Sequence, residues 1–281
     1  MKTVRTKAEL KAALAGLSGT RALVMTMGAL HEGHLSLVRE AAKAADNVCV
    51  SIYVNPLQFA PGEDYESYPR RLGADLALLE QHNVALVYAP LDEDIYPRTP
   101  LVRIDPGPVA RILEGKTRPT HFAGVLQIVH KEISLVQPQK AFFGQKDAQQ
   151  LALIRTMAAD LDLPVEICSV PIRREASGLA LSSRNAYLSA EEKKAAETLS
   201  QSLFAARSGA AAGLDADAAV ERIKAALAAN PLIETDYVHA VDPDTFLILD
   251  GEKQVHGRAL LVLAARVGST RLIDNLEVDF R

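Results

Sequence analysis

The stretch RALVMTMGALHEGHLSLV, residues 21–38, joins two apolar runs through a turn that contains glycine. Its first part, Arg21–Thr26, is short and continuously apolar, which is typical of a buried strand. After the turn, Leu35, Val38 and Ala42 recur at helical spacing. A strand followed by a turn and a helix begins a strand–helix–strand unit, and such units build parallel sheets.

The same alternation continues to about residue 171. Apolar runs predict further strands at 47–54, 84–90, 140–144 and 165–171, and helical patterns lie near 71–82, 123–136 and 148–161. Because parallel strands are buried on both faces, helices must cover both sides of the sheet. We therefore expect an α/β, Rossmann-like domain over residues 1–174, with a loop-rich stretch at 91–120.

The remaining residues have a different character. Residues 190–229 are rich in Ala, Glu, Lys and Arg, which predicts helices, with a helix–helix turn at 208–219. Runs at 234–242, 258–268 and 270–278 predict antiparallel strands. We expect a smaller α+β C-terminal domain over residues 175–281.

Composition excludes several classes of partner. The formal charge is −4 and no basic block is present, so we expect no nucleic-acid partner. No apolar run approaches the ~18 residues of a membrane span, and the first residues lack the apolar core of a signal peptide. Cys49 and Cys168 lie in apolar runs, which predicts two buried thiols. Together these features favour a cytoplasmic protein with no membrane partner.

Clusters of polar residues follow the predicted strands. They occupy residues 27–34, 55–59, 144–150 and 178–185. In an open parallel sheet, ligands bind outside the carboxyl ends of the strands. We therefore expect the four clusters to meet at one edge of the sheet.

The two histidines of the first cluster favour phosphate over metal. His31 and His34 are three residues apart, whereas helical zinc ligands of the H-E-x-x-H type are four apart. The first N–H groups of a helix are unpaired and attract anions, and Gly28 and Gly33 permit close approach to the backbone. Two solvated helix residues are the simpler alternative.

A second candidate phosphate loop fails on spacing. EGKT, residues 114–117, resembles the end of a Walker A motif, but the required earlier glycine is Ala110. No clear strand precedes it, so we reject this interpretation.

Other polar residues fit the binding of a nucleotide and a small acid. Lys146 is suited to neutralising phosphates, and Ser182, Ser183 and Arg184 to closing over them. Gln58 and Gln150 are neutral hydrogen-bonding groups that suit a hydroxy acid. Taken singly, each of these patterns is also typical of solvated loops.

Seven stretches resemble the pantoate–β-alanine ligase family, which belongs to the nucleotidylyltransferases related to class I aminoacyl-tRNA synthetases. In order from residue 26 to 275 they read TMGALHEGHLSLV, SIYVNPLQF, YPR, RPTHFAGV, FFGQKDAQQL, LSSRNAYL and GSTRLIDN. The resemblance implies a Rossmann-like domain with a smaller C-terminal lid domain, and a homodimer. It also implies that ATP and (R)-pantoate give pantoyl adenylate and pyrophosphate, after which β-alanine displaces AMP to form pantothenate.

The resemblance also implies site residues. His34 is the proton donor, with His31, Lys146 and Arg184 as its partners in catalysis. Gln58 and Gln150 bind pantoate, and Gln58 later meets β-alanine. The residues expected to contact ATP are Met27, Gly28, Ala29, Leu30, His31, Glu32, Gly33, His34, Gly144, Gln145, Lys146, Asp147, Arg173 (through its backbone, at the adenine), Leu181, Ser182, Ser183 and Arg184.

Three positions depart from the common family pattern. Gln145 stands where Glu is frequent, and Leu181 where Met is frequent. The acidic cluster that often follows YPR is reduced to Asp75. The Mg²⁺ that accompanies ATP is therefore expected to be held mainly by ATP and water, with no protein ligand assigned.

Two other classes of function are compatible with these residues. A nucleotidyltransferase that keeps the nucleotide in its product would use the same H-x-G-H pair, although the neutral glutamines favour an uncharged polyol acid. A non-catalytic nucleotide-binding protein is the second alternative, since fold alone does not settle activity. An aminoacyl-tRNA synthetase is disfavoured by the mildly acidic charge and the lack of an anticodon-binding extension.

Overall fold

The computed structural model describes residues 1–60, 62–63, 65–249, 251 and 255–281, which form two compact units. Unit 1 comprises Met1–Gly144 and Gln149–Pro171, and unit 2 comprises Gln145–Ala148 and Ile172–Arg281. The short segment Gln145–Ala148 therefore groups with the C-terminal residues, although it lies between two elements of unit 1 in the chain.

Unit 1 is built on a six-stranded parallel sheet. Its strands are β1 (Lys2–Val4), β2 (Arg21–Thr26), β3 (Asn47–Ile52), β4 (Val84–Tyr88), β5 (Lys140–Gly144) and β6 (Glu166–Val170), in the order β1-β4-β3-β2-β5-β6. Every neighbouring pair is parallel, which confirms the predicted fold class. The three-residue strand β1 was not predicted.

Helices connect these strands. They are α1 (Lys7–Ala15), α2 (Glu32–Ala44), α3 (Leu72–Leu79), α4 (Asp92–Ile95), α5 (Glu114–Thr117), α6 (His121–Val136) and α7 (Ala148–Asp160). The stretch at 91–120 predicted as loop-rich contains only the single-turn helices α4 and α5 and a 3₁₀ turn at Pro108–Arg111.

Alternation along the strands divides the core of unit 1 into two layers. Ala22 and Val24 of β2 face α2, whereas Leu23 between them faces α1, α6 and α7. Cys49 of β3 is buried as predicted, but Cys168 is only half-buried. The prediction for Cys168 was wrong because β6 is an edge strand that pairs only with β5.

Unit 2 contains a three-stranded antiparallel sheet covered by two helices. The strands are β7 (Ile233–Val241), β8 (Gly257–Val267) and β9 (Thr270–Phe280), and the helices are α8 (Ala190–Ala211) and α9 (Ala216–Ala228). The predicted helix–helix turn is confirmed at residues 212–215. Ser189 caps α8 and Asp215 caps α9 with their side chains, which fixes where each helix begins. Within the described residues, no helix is both long and apolar enough to cross a bilayer.

Candidate active site

The loop after β2 lies where the strand order of the sheet changes direction. From β2 the chain continues outward to β3 and β4 on one side, and later to β5 and β6 on the other. Such a switch point leaves a crevice at the carboxyl edge of the sheet. The residues at 27–31, which follow β2, are therefore at the position where α/β sheets commonly bind ligands.

The backbone of this loop takes a conformation that favours glycine. Gly28 has φ +85°, and the next residue, Ala29, has φ +50°. The left-handed region costs a residue with a Cβ about 1 kcal/mol. Gly28 N–H donates to Thr26 Oγ1 at 3.2 Å, but Ala29 must be held by another contact.

Asp75 supplies that contact. Its Oδ2 accepts from Ala29 N–H at 3.0 Å and its Oδ1 from Leu30 N–H at 2.8 Å. The carboxylate is only 2 % exposed, and a Cβ at Gly28 would lie 3.0 Å from its Oδ2. Asp75, the acidic residue that follows the YPR motif, thus uses both carboxylate oxygens in charge-assisted hydrogen bonds that hold the loop.

Since the family resemblance implies that residues 27–34 contact ATP, replacing Asp75 with asparagine should raise the KM for ATP about 10- to 100-fold, the range expected for losing a hydrogen bond to a charged group. Asparagine offers one oxygen, and its NH₂ group would face a backbone N–H. Steady-state kinetics on D75N measure the effect, with the exposed D160N as control. A KM for ATP equal to that of D160N would show that Asp75 does not shape the loop.

The two histidines cap the start of α2 reciprocally. His31 Nδ1 accepts from Gly33 N–H at 3.1 Å, and His34 Nδ1 accepts from His31 N–H at 3.3 Å. A Cβ at Gly33 would lie 2.7 Å from His31 Cε1 and 2.9 Å from His31 Nδ1, so a side chain at this position would displace the His31 ring from its capping position. The ring centroids are 4.1 Å apart. The three-residue spacing and the glycine are therefore requirements of this capping arrangement.

The capping also determines the tautomer of both rings. A ring nitrogen that accepts a hydrogen bond carries no proton, so each neutral imidazole carries its proton on Nε2. His31 and His34 thus become N–H donors beside the positive end of a helix, an arrangement suited to an anion. Among the described residues, no group of three or more His, Cys, Asp and Glu side chains could hold a metal ion.

The segment after β3 places Gln58 next to this loop. Gln58 is largely buried, and its Nε2 lies 2.9 Å from Met27 Sδ. Asn55 donates through Nδ2 to Gln58 Oε1 at 3.2 Å and to Gly124 O at 3.0 Å. The Gln58 side chain is therefore oriented by a buried amide.

Helix α6 fixes the backbone of the same segment. A Cβ at Gly124 would lie 2.1 Å from Leu57 O, so glycine is required for this close approach. His121 Nδ1 lies 3.0 Å from Gln58 O. Arg118 donates two bonds to Glu63, at 2.7 and 2.8 Å, and its guanidinium lowers the pKa of that carboxyl.

Asn55 in this segment, and Arg118 and His121 that contact it, had no predicted role, although they lie within motifs that the sequence singled out. The turn at Asn55 could have been predicted from the sequence, since Asn before Pro at the end of a strand is typical of a turn.

The two glutamines at the start of α7 have different environments. Gln149 is buried and donates to Val109 O at 2.8 Å and Ile112 O at 3.0 Å, whereas Gln150 is half-buried. Gly144, at the end of β5, lies on the same sheet edge as the loop after β2, because β2 and β5 are parallel neighbours.

The EGKT stretch is a single-turn helix that follows a 3₁₀ turn instead of a strand. A Cβ at Gly115 would lie 1.9 Å from Ala110 O, so close packing explains this glycine. The structure thus agrees with the rejection of a Walker A loop.

Unit 2 carries the remaining predicted site residues. Gln145–Asp147 forms a 3₁₀ turn in which Lys146 Nζ lies 3.5 Å from Asp147 Oδ1. Leu181 N–H donates to Arg173 O at 2.8 Å, which joins Arg173 to the 181–184 segment. Ser182 Oγ accepts from Arg184 N–H at 3.2 Å and begins the 3₁₀ turn Ser183–Tyr187.

Comparisons with known proteins agree over nearly the whole chain. A family model described as pantoate-beta-alanine ligase matches residues 2–277. A pantothenate synthetase from Roseiflexus sp. (strain RS-1) is 50% identical over 280 residues, covering 99% of this chain and 100% of the relative. One from Acidothermus cellulolyticus is 50% identical over 273 residues, covering 97% of this chain and 90% of the relative.

Solved structures give the same result. The crystal structure of a pantothenate synthetase from Thermus thermophilus has a TM-score of 0.92 at 46% identity, with 99% of this chain and 100% of that chain covered. A pantoate-beta-alanine ligase from Francisella tularensis, complexed with beta-gamma ATP and beta-alanine, has a TM-score of 0.79 at 32% identity, with 98% and 97% covered.

Proposed function

Because this chain belongs to the pantoate–β-alanine ligase family, it is an enzyme that condenses pantoate with β-alanine using ATP, and we propose that the loop after β2 binds the triphosphate. The reciprocal capping of His31 and His34 is the observation that carries this proposal. It supplies two Nε2–H donors at the start of a helix, where the fold family places its ligands.

The proposed reaction has two steps. A carboxylate oxygen of (R)-pantoate attacks the α-phosphorus of ATP, and the bond to the bridging oxygen of the β-phosphate breaks, which gives pantoyl adenylate and pyrophosphate. The amine of β-alanine then attacks the acyl carbon, loses a proton and displaces AMP. No covalent bond to the protein is needed, so the enzyme contributes positioning and stabilisation of the departing charge.

We assign stabilisation of the departing charge to His31, His34, Lys146 and Arg184. We assign His34 the proton-donor role in the form of a hydrogen bond from its Nε2–H to the departing pyrophosphate, since its Nδ1 accepts the helix-cap bond and its Nε2 carries the proton. Donors that are fixed before the reaction stabilise charge without reorganisation. The wider set proposed to contact ATP is residues 27–34 and 144–147, Arg173 through its backbone, and residues 181–184.

Gln58 and Gln150 are assigned to pantoate, and Gln58 to β-alanine in the second step. Neutral amides suit an uncharged polyol acid, and the orientation of Gln58 by Asn55 supports its role. The Francisella tularensis relative, described with beta-gamma ATP and beta-alanine, supports the choice of substrates.

Mg²⁺ is proposed as the counter-ion of ATP and not as a resident of the protein. The hydrogen bonds of Asp75 support this assignment, because both of its carboxylate oxygens already accept from backbone N–H groups. Mg²⁺ usually keeps several waters and binds substrate phosphates.

We also propose that the protein is a homodimer and lies in the cytoplasm. We further propose that residues 1–174 form the ATP- and pantoate-binding domain and residues 175–281 form a lid domain. These rest on membership of the family.

Pantoate-dependent exchange between ATP and labelled pyrophosphate tests the proposal. Exchange in the absence of β-alanine is expected only if an acyl adenylate forms. A nucleotidyltransferase that retains its nucleotide would not need pantoate, and a non-catalytic protein would show no exchange.

In the same assay, Q58A should raise the KM for pantoate about 10-fold, the usual cost of one lost hydrogen bond in a binding site, and leave the KM for ATP near its original value. The exposed Q81A serves as control. An unchanged KM for pantoate would remove Gln58 from the pocket.

A further inference from the structure

The motif GSTRLIDN, residues 268–275, ends in a buried polar pair that the proposed reaction does not use. Asp274 and Asn275 lie on β9 and are 3 % and 5 % exposed. Burying an acid and an amide is unfavourable unless each is hydrogen-bonded. The partners of this pair therefore indicate what it is for.

Asn275 binds the turn that carries Lys146. Its Nδ2 group donates to Gln145 O at 2.9 Å and to Lys146 O at 3.0 Å. An asparagine side chain has two N–H donors, and both are used here. Because both carbonyls are held, the two peptide planes on either side of the Lys146 Cα have fixed orientations.

Asp274 and Arg174 in turn hold Asn275. The carboxylate accepts from Arg174 Nη1 at 2.6 Å and Nη2 at 2.9 Å, and from Asn275 N–H at 2.7 Å. Arg174 Nη2 also donates to Asn275 O at 3.2 Å. A bidentate pair of this kind has little freedom, so it gives Asn275 a rigid support.

We propose that Asn275 is a positioning residue that acts through Lys146: by holding the Gln145 and Lys146 carbonyls, it keeps the lysine ammonium aimed at the phosphates of ATP. This inference rests on the proposed role of Lys146. A lysine side chain is long and flexible, so an unfixed backbone would spread its charge over many positions. Small misplacements of catalytic groups reduce rates by as much as about 100-fold.

A double-mutant cycle tests the inference. N275A should lower kcat for pantoate-dependent pyrophosphate release about 10- to 100-fold, with little change in the KM for pantoate. Because Asn275 acts through Lys146, the double variant N275A/K146A should be no slower than K146A alone. If the two effects multiply, Asn275 acts elsewhere and the inference is wrong.

Two further variants separate positioning from folding. L272A removes a buried side chain from the same strand without touching the turn, so it shows how much rate is lost through instability alone. Equal losses of kcat in L272A and N275A at equal loss of Tm would overturn the inference. If N275A does not fold, N275L nearly keeps the volume of the side chain and removes both donors without adding a charge, and it enters the same cycle.

The outcomes also distinguish this inference from the proposed function. Wild-type activity in K146A would remove Lys146 from the site. An impaired K146A together with a fully active N275A would preserve the role of Lys146 and reject that of Asn275.

Discussion

H34A is expected to slow pantoyl adenylate formation by about 10²–10³-fold, because it removes one preorganised donor from the departing pyrophosphate. Rapid-quench measurement of pyrophosphate release reports this step directly. The protein should remain folded, since the lost helix cap costs only about 1 kcal/mol.

The capping geometry of His34 allows a sharper experiment. Asparagine can place an oxygen near the position of Nδ1 and keep the bond from His31 N–H, but it cannot reach the position of Nε2. Glutamine reaches that position with its NH₂ group but does not cap. We therefore expect H34Q to release pyrophosphate faster than H34N. A rate near wild type in H34N would assign His34 to the helix cap alone.

We expect the free energy of unfolding of E132Q to exceed that of the wild type by a margin that is about 3 kcal/mol larger at pH 8 than at pH 4.5. Glu132 lies on α6 and is only 1 % exposed. Ser51 Oγ donates to its Oε1 at 2.7 Å, and its Oε2 is buried with no hydrogen-bond partner among the described residues.

The sign follows from the environment of the carboxyl. Burial raises the pKa of Glu132 to about 7, although the bond from Ser51 opposes this. Its neighbours are Tyr88, which is buried, and Tyr96, which is half-buried, and desolvation raises the pKa of both phenols and keeps them neutral. The folded state thus binds more protons than the unfolded state between pH 4.5 and 7, and stability falls as the pH rises through this range.

Chemical denaturation of wild type and E132Q at several pH values measures the difference. Glutamine is neutral at every pH and its oxygen can still accept from Ser51, so the advantage of E132Q should grow up to about pH 8 and then level off. E80Q, at an exposed position, is the matched control. Parallel curves for wild type and E132Q would show that the pKa of Glu132 is the same in the folded and unfolded states, so that burial does not raise it.

The parallel sheet could be predicted because β2 to β6 are formed by local apolar runs. Strand β1 could not, since only Val4 of its three residues is buried and the strand exists through its pairing with the distant β4. The exposure of Cys168 depends on β6 being at the edge, which is a property of strand order and not of local sequence.

The candidate site shows a similar limit. The H-x-G-H stretch could be interpreted as an anion site because its two histidines, its glycine and the expected start of a helix all lie within four residues of the sequence. Asp75 binds Ala29 and Leu30, which lie 46 and 45 positions earlier in the chain. Because its carboxylate accepts from their backbone N–H groups, the identities of the two side chains do not reveal the contact. Glu132 resembles any polar helix residue in the sequence, and only the packing of α6 reveals it as buried.

The two hydrogen bonds between Asp75 and the loop after β2 determine at which stage this loop loses its conformational freedom. A flexible phosphate loop would have to become ordered as each ATP molecule arrives, at about 1–2 kcal/mol for every residue fixed. Here Ala29 and Leu30 are already held by the carboxylate, so that entropy is given up once, when the chain folds. Under the role proposed for this loop, nucleotide binding in each turnover carries no further cost of ordering Ala29 and Leu30.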